Sequence, residues 1–250
     1  MQVLLDELLR RQEADKPVKF WLRDDDAVEP SAALSRFSAL TEAYSIPATL
    51  AVIPENTGEA LVENLRNLNH INIAVHGWSH KNYAPETEKK QELGSHRPYG
   101  QVLVELSQGF NKLSALYADR FVPLLVPPWN RIAQGLIDSL SDMGFAGLST
   151  FGHEKPATIK MINTHVDLID WKSTRGGRAS DLLVGEFVEN IGATNKPIGF
   201  LTHHLVHDEA AWSFMESFFE ATAHHRGCRW VSSREILNSA LPDPRFPAQQ

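Results

Sequence analysis

Apolar and polar positions alternate along the chain in two rhythms. Val3, Leu4, Leu5, Leu8 and Leu9 mark one face of an opening amphipathic helix, and the first strand is expected over 18–23, ending at Asp24-Asp25-Asp26. Helical spacing follows over 31–44, with Leu34, Phe37, Leu40 and Tyr44 on one side. A short apolar run over 47–53 reads as a strand and 58–68 as a helix. The strand over 71–75 then feeds directly into His76. Residues 81–100 are polar and punctuated by Pro85, Gly94, Pro98 and Gly100, which predicts a long loop, and loops of that length in compact domains are usually functional. Beyond it the pattern predicts helices over 102–117, 132–143, 180–191 and 209–224. The strands expected in this part are 121–126, 146–150, 165–169, 198–202 and 229–231. The Pro-rich tail after Leu241 is expected to be loose.

Strand and helix alternate seven or eight times with no linker of mixed polarity. This predicts an α/β fold: a distorted (β/α) barrel of about seven parallel strands with outer helices, in one domain over 1–250 whose core spans about 18–240. A doubly wound open sheet is the alternative. The nucleotide-binding version is weakened because no Gly-x-Gly-x-x-Gly or Gly-x-x-x-x-Gly-Lys-Ser/Thr follows a strand.

Composition narrows the partners. A net charge of −7 argues against a broad nucleic-acid footprint while leaving room for a local cationic pocket. The single cysteine, Cys228, makes an intramolecular disulfide impossible and reads as a small buried hydrophobe. Residues 1–14 carry acids and lack an apolar stretch, so no signal peptide is expected, and no run of about 18 apolar residues predicts a membrane span. The cytoplasm is the default compartment, a small-molecule or carbohydrate substrate the expected partner, and the oligomeric state is left open.

The chemistry is positional. Asp24-Asp25-Asp26, His76, Asp170, His203 and the turn Pro127-Pro128-Trp129-Asn130 each follow an apolar strand immediately. The carboxyl ends of parallel strands line the site in such folds, so five strand ends deliver shaped or reactive residues to one rim. His76 and His80 are four apart, and on a helical turn both rings would face one metal ion. Three successive aspartates repel one another unless a cation or a cap neutralises them. Two histidines and one carboxylate form a familiar catalytic metal set, with the second acid free to act as a base.

These motifs resemble those of the polysaccharide deacetylases, carbohydrate esterase family four. The matching stretches are Leu22-Arg23-Asp24-Asp25-Asp26-Ala27, Ala48 to Ile53, His76-Gly77-Trp78-Ser79-His80, Pro127-Pro128-Trp129-Asn130, Asp170-Trp171 and Leu201-Thr202-His203, in family order from about 20 to 205. The resemblance implies a distorted barrel and hydrolysis of an N-acyl or O-acyl group. It makes Asp25 the base and Asp26 the metal ligand beside His76 and His80. His203 becomes the acid that protonates the leaving amine, and the backbone N–H of Trp129 a donor to the oxyanion. Asp170 would pair with a cationic group beside the base. One divalent ion is implied, zinc by default, with cobalt, nickel, iron or manganese also suited to the donors.

The chain departs from the family at three points. Gly77 replaces a Ser or Thr, which removes an expected loop hydrogen bond. Val126 stands where an arginine should orient the base, with Arg131, Arg23 and Arg178 as candidates to replace it. Asp24 is an extra acid, and strand alternation would place it on the face of Asp26, making it a second candidate base. Trp78 and Trp171 are candidate pocket walls, and His96 and Arg97 candidate cover residues. Arg175 and Arg178 are weighed as contacts for an anionic group, while His204 and His207 read as loop polar residues. A cyclic amidase or deformylase on the same scaffold, or a catalytically impaired binding module, remain the alternatives.

Overall fold

The computed structural model describes residues 1–239, so the Pro-rich tail lies outside the described residues. A curled sheet of nine strands forms the centre: β1 (Val18–Ala27), β2 (Ala48–Val52), β3 (Ile71–His76), β4 (Phe121–Val126), β5 (Gly147–Leu148), β6 (Lys160–Met161), β7 (Val166–Asp167), β8 (Ile198–Thr202) and β9 (Cys228–Trp230). They run in the order β6-β5-β4-β3-β2-β1-β8-β7, with β9 beside the start of β1, and every ladder is parallel. This is the expected distorted barrel, with nine strands rather than about seven. The strand that was not expected is β6, only two residues long and below what a hydrophobic period can register, while the strands expected over 146–150 and 165–169 shrink to the two residues of β5 and of β7.

Eight helices cover the outside: α1 (Gln2–Glu13), α2 (Ala32–Ala43), α3 (Glu59–Leu65), α4 (Tyr99–Tyr117), α5 (Gln134–Ile137), α6 (Ser180–Ala193), α7 (Glu209–Thr222) and α8 (Ser233–Asn238). The helix expected over 132–143 shrinks to α5. Its continuation closes through i→i−3 bonds, Ser139 N–H to Leu136, Leu140 N–H to Ile137 and Met143 N–H to Leu140. Gly135, Asp138, Ser139 and Asp142 are weak helix formers, which favours such turns. The short α8 was not expected, although Ser232-x-x-Glu235 announces it: the Ser232 hydroxyl accepts from the Glu235 N–H at 3.1 Å. Among the described residues no helix is long and apolar enough to cross a membrane.

Alternation along β1 sorts its side chains between two cores. Phe20 and Leu22 face the helices, where Phe20 meets Phe187 of α6 and Phe218 of α7 edge-on, each at 5.7 Å. Trp21 points to the opposite, concave side and packs with Ala51, Ala74, Val122, Leu124 and Val126. Arg23 and Asp25 continue the row of Trp21 toward the carboxyl ends of the strands. The apolar plug thus gives way to charge only at the rim.

Gly199 of β8 sits opposite Trp21 in the parallel register. A Cβ there would lie 2.5 Å from Trp21 Nε1, 2.6 Å from Thr164 Cα and 2.7 Å from the Asn163 oxygen. Two of these three are backbone atoms and cannot yield. Gly199→Ala is therefore expected to lower the unfolding free energy by about 1–3 kcal/mol through overpacking. A denaturant midpoint equal to that of the parent protein would refute this packing of Trp21.

Candidate metal centre

The three aspartates that end β1 point three ways. Asp24 is fully buried and takes no part in the site cavity. Its carboxylate accepts from the Thr202 hydroxyl at 2.7 Å and the His204 N–H at 2.9 Å, and it holds the His204 ring through Nδ1. Asp25 pairs with the fully buried Arg23. Arg23 Nη2 donates to Asp25 Oδ2 at 3.0 Å, and Nε lies 2.9 Å from Oδ1, off the N–H axis, so that second contact is Coulombic. Asp26 Oδ1 lies 3.0 Å from His76 Nε2 and 3.2 Å from His80 Nε2. The expectation that alternation puts Asp24 and Asp26 on one face fails. The register of β1 shifts between Asp24 and Ala27, and Asp26 takes φ 75°, in the left-handed region.

Arg23 is thus the arginine that orients Asp25. Its remaining N–H groups reach the Ser149 hydroxyl at 2.7 Å and Asn130 Oδ1 at 2.7 Å. Of the other two candidates, Arg131 donates to the Lys90 carbonyl and Arg178 is held by Glu186 and the Asp167 carbonyl. Val126, in the place expected for an arginine, accepts from His76 Nδ1 at 2.9 Å through its carbonyl. That bond takes the proton on Nδ1, so a neutral His76 ring would offer its Nε2 lone pair to an ion, whereas a protonated ring donates from Nε2 to Asp26.

The histidine pair does not lie on a helical turn as expected. His76 ends β3, and 77–80 form a loop in which Gly77 and His80 both have φ 57°. The loop wraps the buried carboxylate of Glu92, a residue that sequence reasoning missed. Glu92 accepts from the N–H groups of Trp78 at 3.3 Å, Ser79 at 2.7 Å and His80 at 3.2 Å, and from the Ser79 hydroxyl at 3.0 Å. It supplies the hydrogen bonds that Gly77 was expected to forfeit. A Cβ on residue 77 would lie 2.2 Å from Glu92 Oε2, so the glycine and the glutamate go together.

Asp25, Asp26, His76, His80, Trp129, Trp171 and His203 line one cavity of about 580 Å³ at the carboxyl ends of the strands. His203 Nε2 lies 3.9 Å from Asp25 Oδ2, and its ring meets the edge of Trp171 at 4.7 Å. The Trp129 ring lies 4.4 Å from that of His80. Asp170 does not face Asp25. Its carboxylate caps its own turn, accepting from the Lys172 and Ser173 N–H groups at 3.1 Å each. Asp167, three residues earlier, lines the cavity instead and accepts from Trp171 Nε1 at 2.9 Å. Burial pushes the Asp167 carboxyl above its ordinary value, against the opposing pull of His203.

Trp78 is not among the residues lining this cavity, and His96 and Arg97 do not cover it. Arg97 stacks over Tyr83 and pairs with Glu105. His204 and His207 are not idle loop residues: His207 Nε2 accepts from the His203 N–H at 3.3 Å, and burial pushes His207 down to about 4.

Donor atoms of Asp26, His76 and His80 all lie within 4.8 Å of one another, as three ligands of one ion would. Burial alone would raise the Asp26 carboxyl, but its hydrogen bond to His76 holds it below the ordinary carboxylate range. Eight non-glycine residues have positive φ among those described, and five of them, Asp26, His80, Trp129, Asn130 and Arg175, line this cavity. Such conformations persist where surrounding bonds over-determine them, and they cluster at functional sites.

No family model and no curated protein matches the chain. Solved structures do. A family 4 acetyl xylan esterase from Clostridium thermocellum in complex with a cobalt ion superimposes with a TM-score of 0.58 at 15% identity, over 87% of this chain and 89% of that one. A family 4 carbohydrate esterase from Streptomyces lividans in complex with acetate gives 0.59 at 14%, over 90% and 98%. A mutant of a family 4 pseudoenzyme with restored activity gives 0.60 at 15%, over 90% and 68%. The chain has the fold of these family 4 carbohydrate esterases, as its motifs led one to expect.

Two outcomes check this geometry. Glu92→Gln replaces an acceptor oxygen with a donor against the loop N–H groups. It should weaken divalent-metal affinity about 10–100-fold, as loss of an outer support does; unchanged affinity by titration calorimetry would remove Glu92 from that role. The second concerns His204 and Asp24. Burial disfavours the charged His204 ring, yet Asp24 raises it above 6.5; burial opposes the Asp24 charge, yet His204 lowers that carboxyl below 3.8. The His204 contribution to stability is full below pH 6.5 and is lost as pH rises through the higher folded value. That of Asp24 is present above 3.8 and is lost as pH falls through the lower folded value. The His204 imidazole should therefore titrate above 6.5 by NMR in the parent protein and below it in Asp24→Asn; a parent midpoint at or below 6.5 would break the pair.

Proposed function

We propose that the chain is a metal-dependent hydrolase, a single catalytic domain that removes an acyl group, acetyl foremost, from an N-acylated sugar or a related small amide. One observation carries the reading: the Asp26, His76 and His80 donors converge beside Asp25, an acid already oriented by Arg23, with His203 facing it at 3.9 Å. The names of the fold neighbours, esterases and deacetylases acting on carbohydrate, agree with it.

The donor set suits a divalent cation, with zinc the first choice and cobalt, nickel, iron and manganese compatible. When bound, the ion supplies Lewis acidity to an acyl carbonyl and makes water easier to deprotonate. Asp25 takes the proton of the attacking water, and Arg23 keeps its carboxylate aimed at the cavity. His203 returns a proton to the departing amine nitrogen, which keeps the leaving group neutral. The N–H of Trp129, in a turn whose left-handed backbone is fixed between Pro128 and Asn130, donates to the developing oxyanion. Trp171 and Phe151, both exposed, offer apolar walls for a sugar ring. Arg23 and Glu92 stand in for the groups missing from the motifs, which favours an active enzyme over an impaired binding module.

Metal content and turnover should separate by residue. Asp25→Asn keeps the shape and the acceptor oxygen beside Arg23, so it should retain one ion per chain and lose about 10²–10⁴ in kcat on acetylated sugars. Asp26→Ala should lose the ion itself. An Asp25→Asn protein with parental turnover, or an Asp26→Ala protein with full metal by elemental analysis, would sink the assignment.

A further inference from the structure

Three cations stand at the mouth of the site cavity with no acid to answer them. Lys90 comes from the loop around Glu92, Arg131 from the end of the Trp129 turn, and Arg175 from the turn capped by Asp170. The chain has 31 acids against 24 lysines and arginines, so acids are not scarce. Arg23, Arg97 and Arg178 are each matched to an Asp or Glu, whereas Lys90, Arg131 and Arg175 make no ion pair among the described residues.

The three acids of the cavity are occupied elsewhere. Asp25 faces Arg23, Asp26 faces the histidine pair, and Asp167 accepts from Ile169 N–H and Trp171 Nε1. The cations are also placed rather than loose. Arg131 donates to the Lys90 carbonyl at 2.8 Å, tying the two segments together. Lys90 Nζ lies 6.0 Å from the centre of the Trp129 ring, and the Arg175 backbone, at φ 57°, is held by its N–H to the Asp170 carbonyl at 2.8 Å.

We propose that Lys90, Arg131 and Arg175 bind an oxyanion, a carboxylate or a phosphate, carried by the substrate beside its acyl group, so that the substrate is an acidic acyl-sugar or acyl-amide and not a neutral polysaccharide. This rests on the deacylase reading above. Two guanidinium forks match the paired oxygens of such a group, and the lysine adds a point charge. Lys90 and Arg175 are exposed and Arg131 half-buried, and cations so placed also draw anions from solution, an effect that salt screens within about 10 Å at 0.1 M.

The test uses the metal-loaded full chain and three sugars: N-acetylglucosamine, its 6-phosphate, and N-acetylmuramic acid, which carries a carboxylate. By calorimetry an acidic sugar should bind at least about tenfold tighter than the neutral one, equal to about 1.4 kcal/mol. The advantage should shrink as salt is raised, and which acidic sugar gains identifies carboxylate or phosphate. In the Lys90→Gln, Arg131→Gln, Arg175→Gln triple variant, with metal content as the check that the site is intact, acidic and neutral sugars should bind alike. Each single variant should lose part of the preference. No preference in the parent protein, or a preference that survives the triple variant because the ion alone holds the anion, overturns the proposal. Hydrolysis separates it from the reading beneath: neutral sugars cut as fast as acidic ones leave the deacylase and remove the anion site, whereas tight anion binding with no cutting of any sugar does the reverse.

Discussion

The rim of this barrel depends on the buried pair of Arg23 and Asp25. A guanidinium with no exposure to water, on the interior row of the central strand, is tolerable only if its charge and its donors are matched. Asp25 matches the charge, while Ser149 and Asn130 take donors from two further strand ends. One residue therefore sets the angle of the acid beside the metal donors and ties β1 to the segments after β4 and β5. It also shows how three consecutive carboxylates coexist. Each has its own positive partner: His204 for Asp24, Arg23 for Asp25, and the cation that Asp26 would share with His76 and His80. The left-handed turn at Asp26 and the register shift beside it separate the carboxylates, so their repulsion is relieved by divergence and not by a single shared ion.

Much of the fold was legible because parallel strands buried on both faces leave long apolar runs, and because polar residues break those runs only at the rim. What stayed hidden has physical causes. Strands of two residues carry no period. Asp170 rather than Asp167 drew notice because it sits against Trp171 at the end of the apolar run, yet Asx turns consume such an acid. The role of Arg23 was there to be read: positions 23 and 25 share a strand face, and alternation alone favours that arginine over Arg131 or Arg178. The same alternation misled one step later, since a bulge with positive φ has no signature in a run of aspartates. Glu92 gave no local signal at all. Its partners lie 12 to 14 residues away, across a loop whose path no pattern encodes.

The two departures from the motif are therefore better described as relocations. Where a side-chain hydroxyl at position 77 would brace the histidine loop from within, a glycine opens the space and a carboxylate from a distant part of the chain fills it, reaching three backbone N–H groups and the Ser79 hydroxyl. The carboxylate depends on the glycine, because a Cβ on residue 77 and the Glu92 oxygen compete for one position. The arginine expected at the start of the proline turn is likewise found elsewhere, as Arg23 on the strand that carries Asp25. In both cases the support reaches the candidate site from a different element than the motifs would place it on.

Relocation has a further consequence at the cavity mouth. With Asp25 held by Arg23 from β1, Arg131 at the end of the proline turn takes no part in orienting that acid. It points to the rim beside Lys90 and Arg175. In an acidic chain, cations that line a cavity with no acidic partner among the described residues leave a local positive field there, which an incoming anion would meet. The contacts that hold Asp25 are in this way separate from the cations proposed to choose the substrate, so either set can change without disturbing the other.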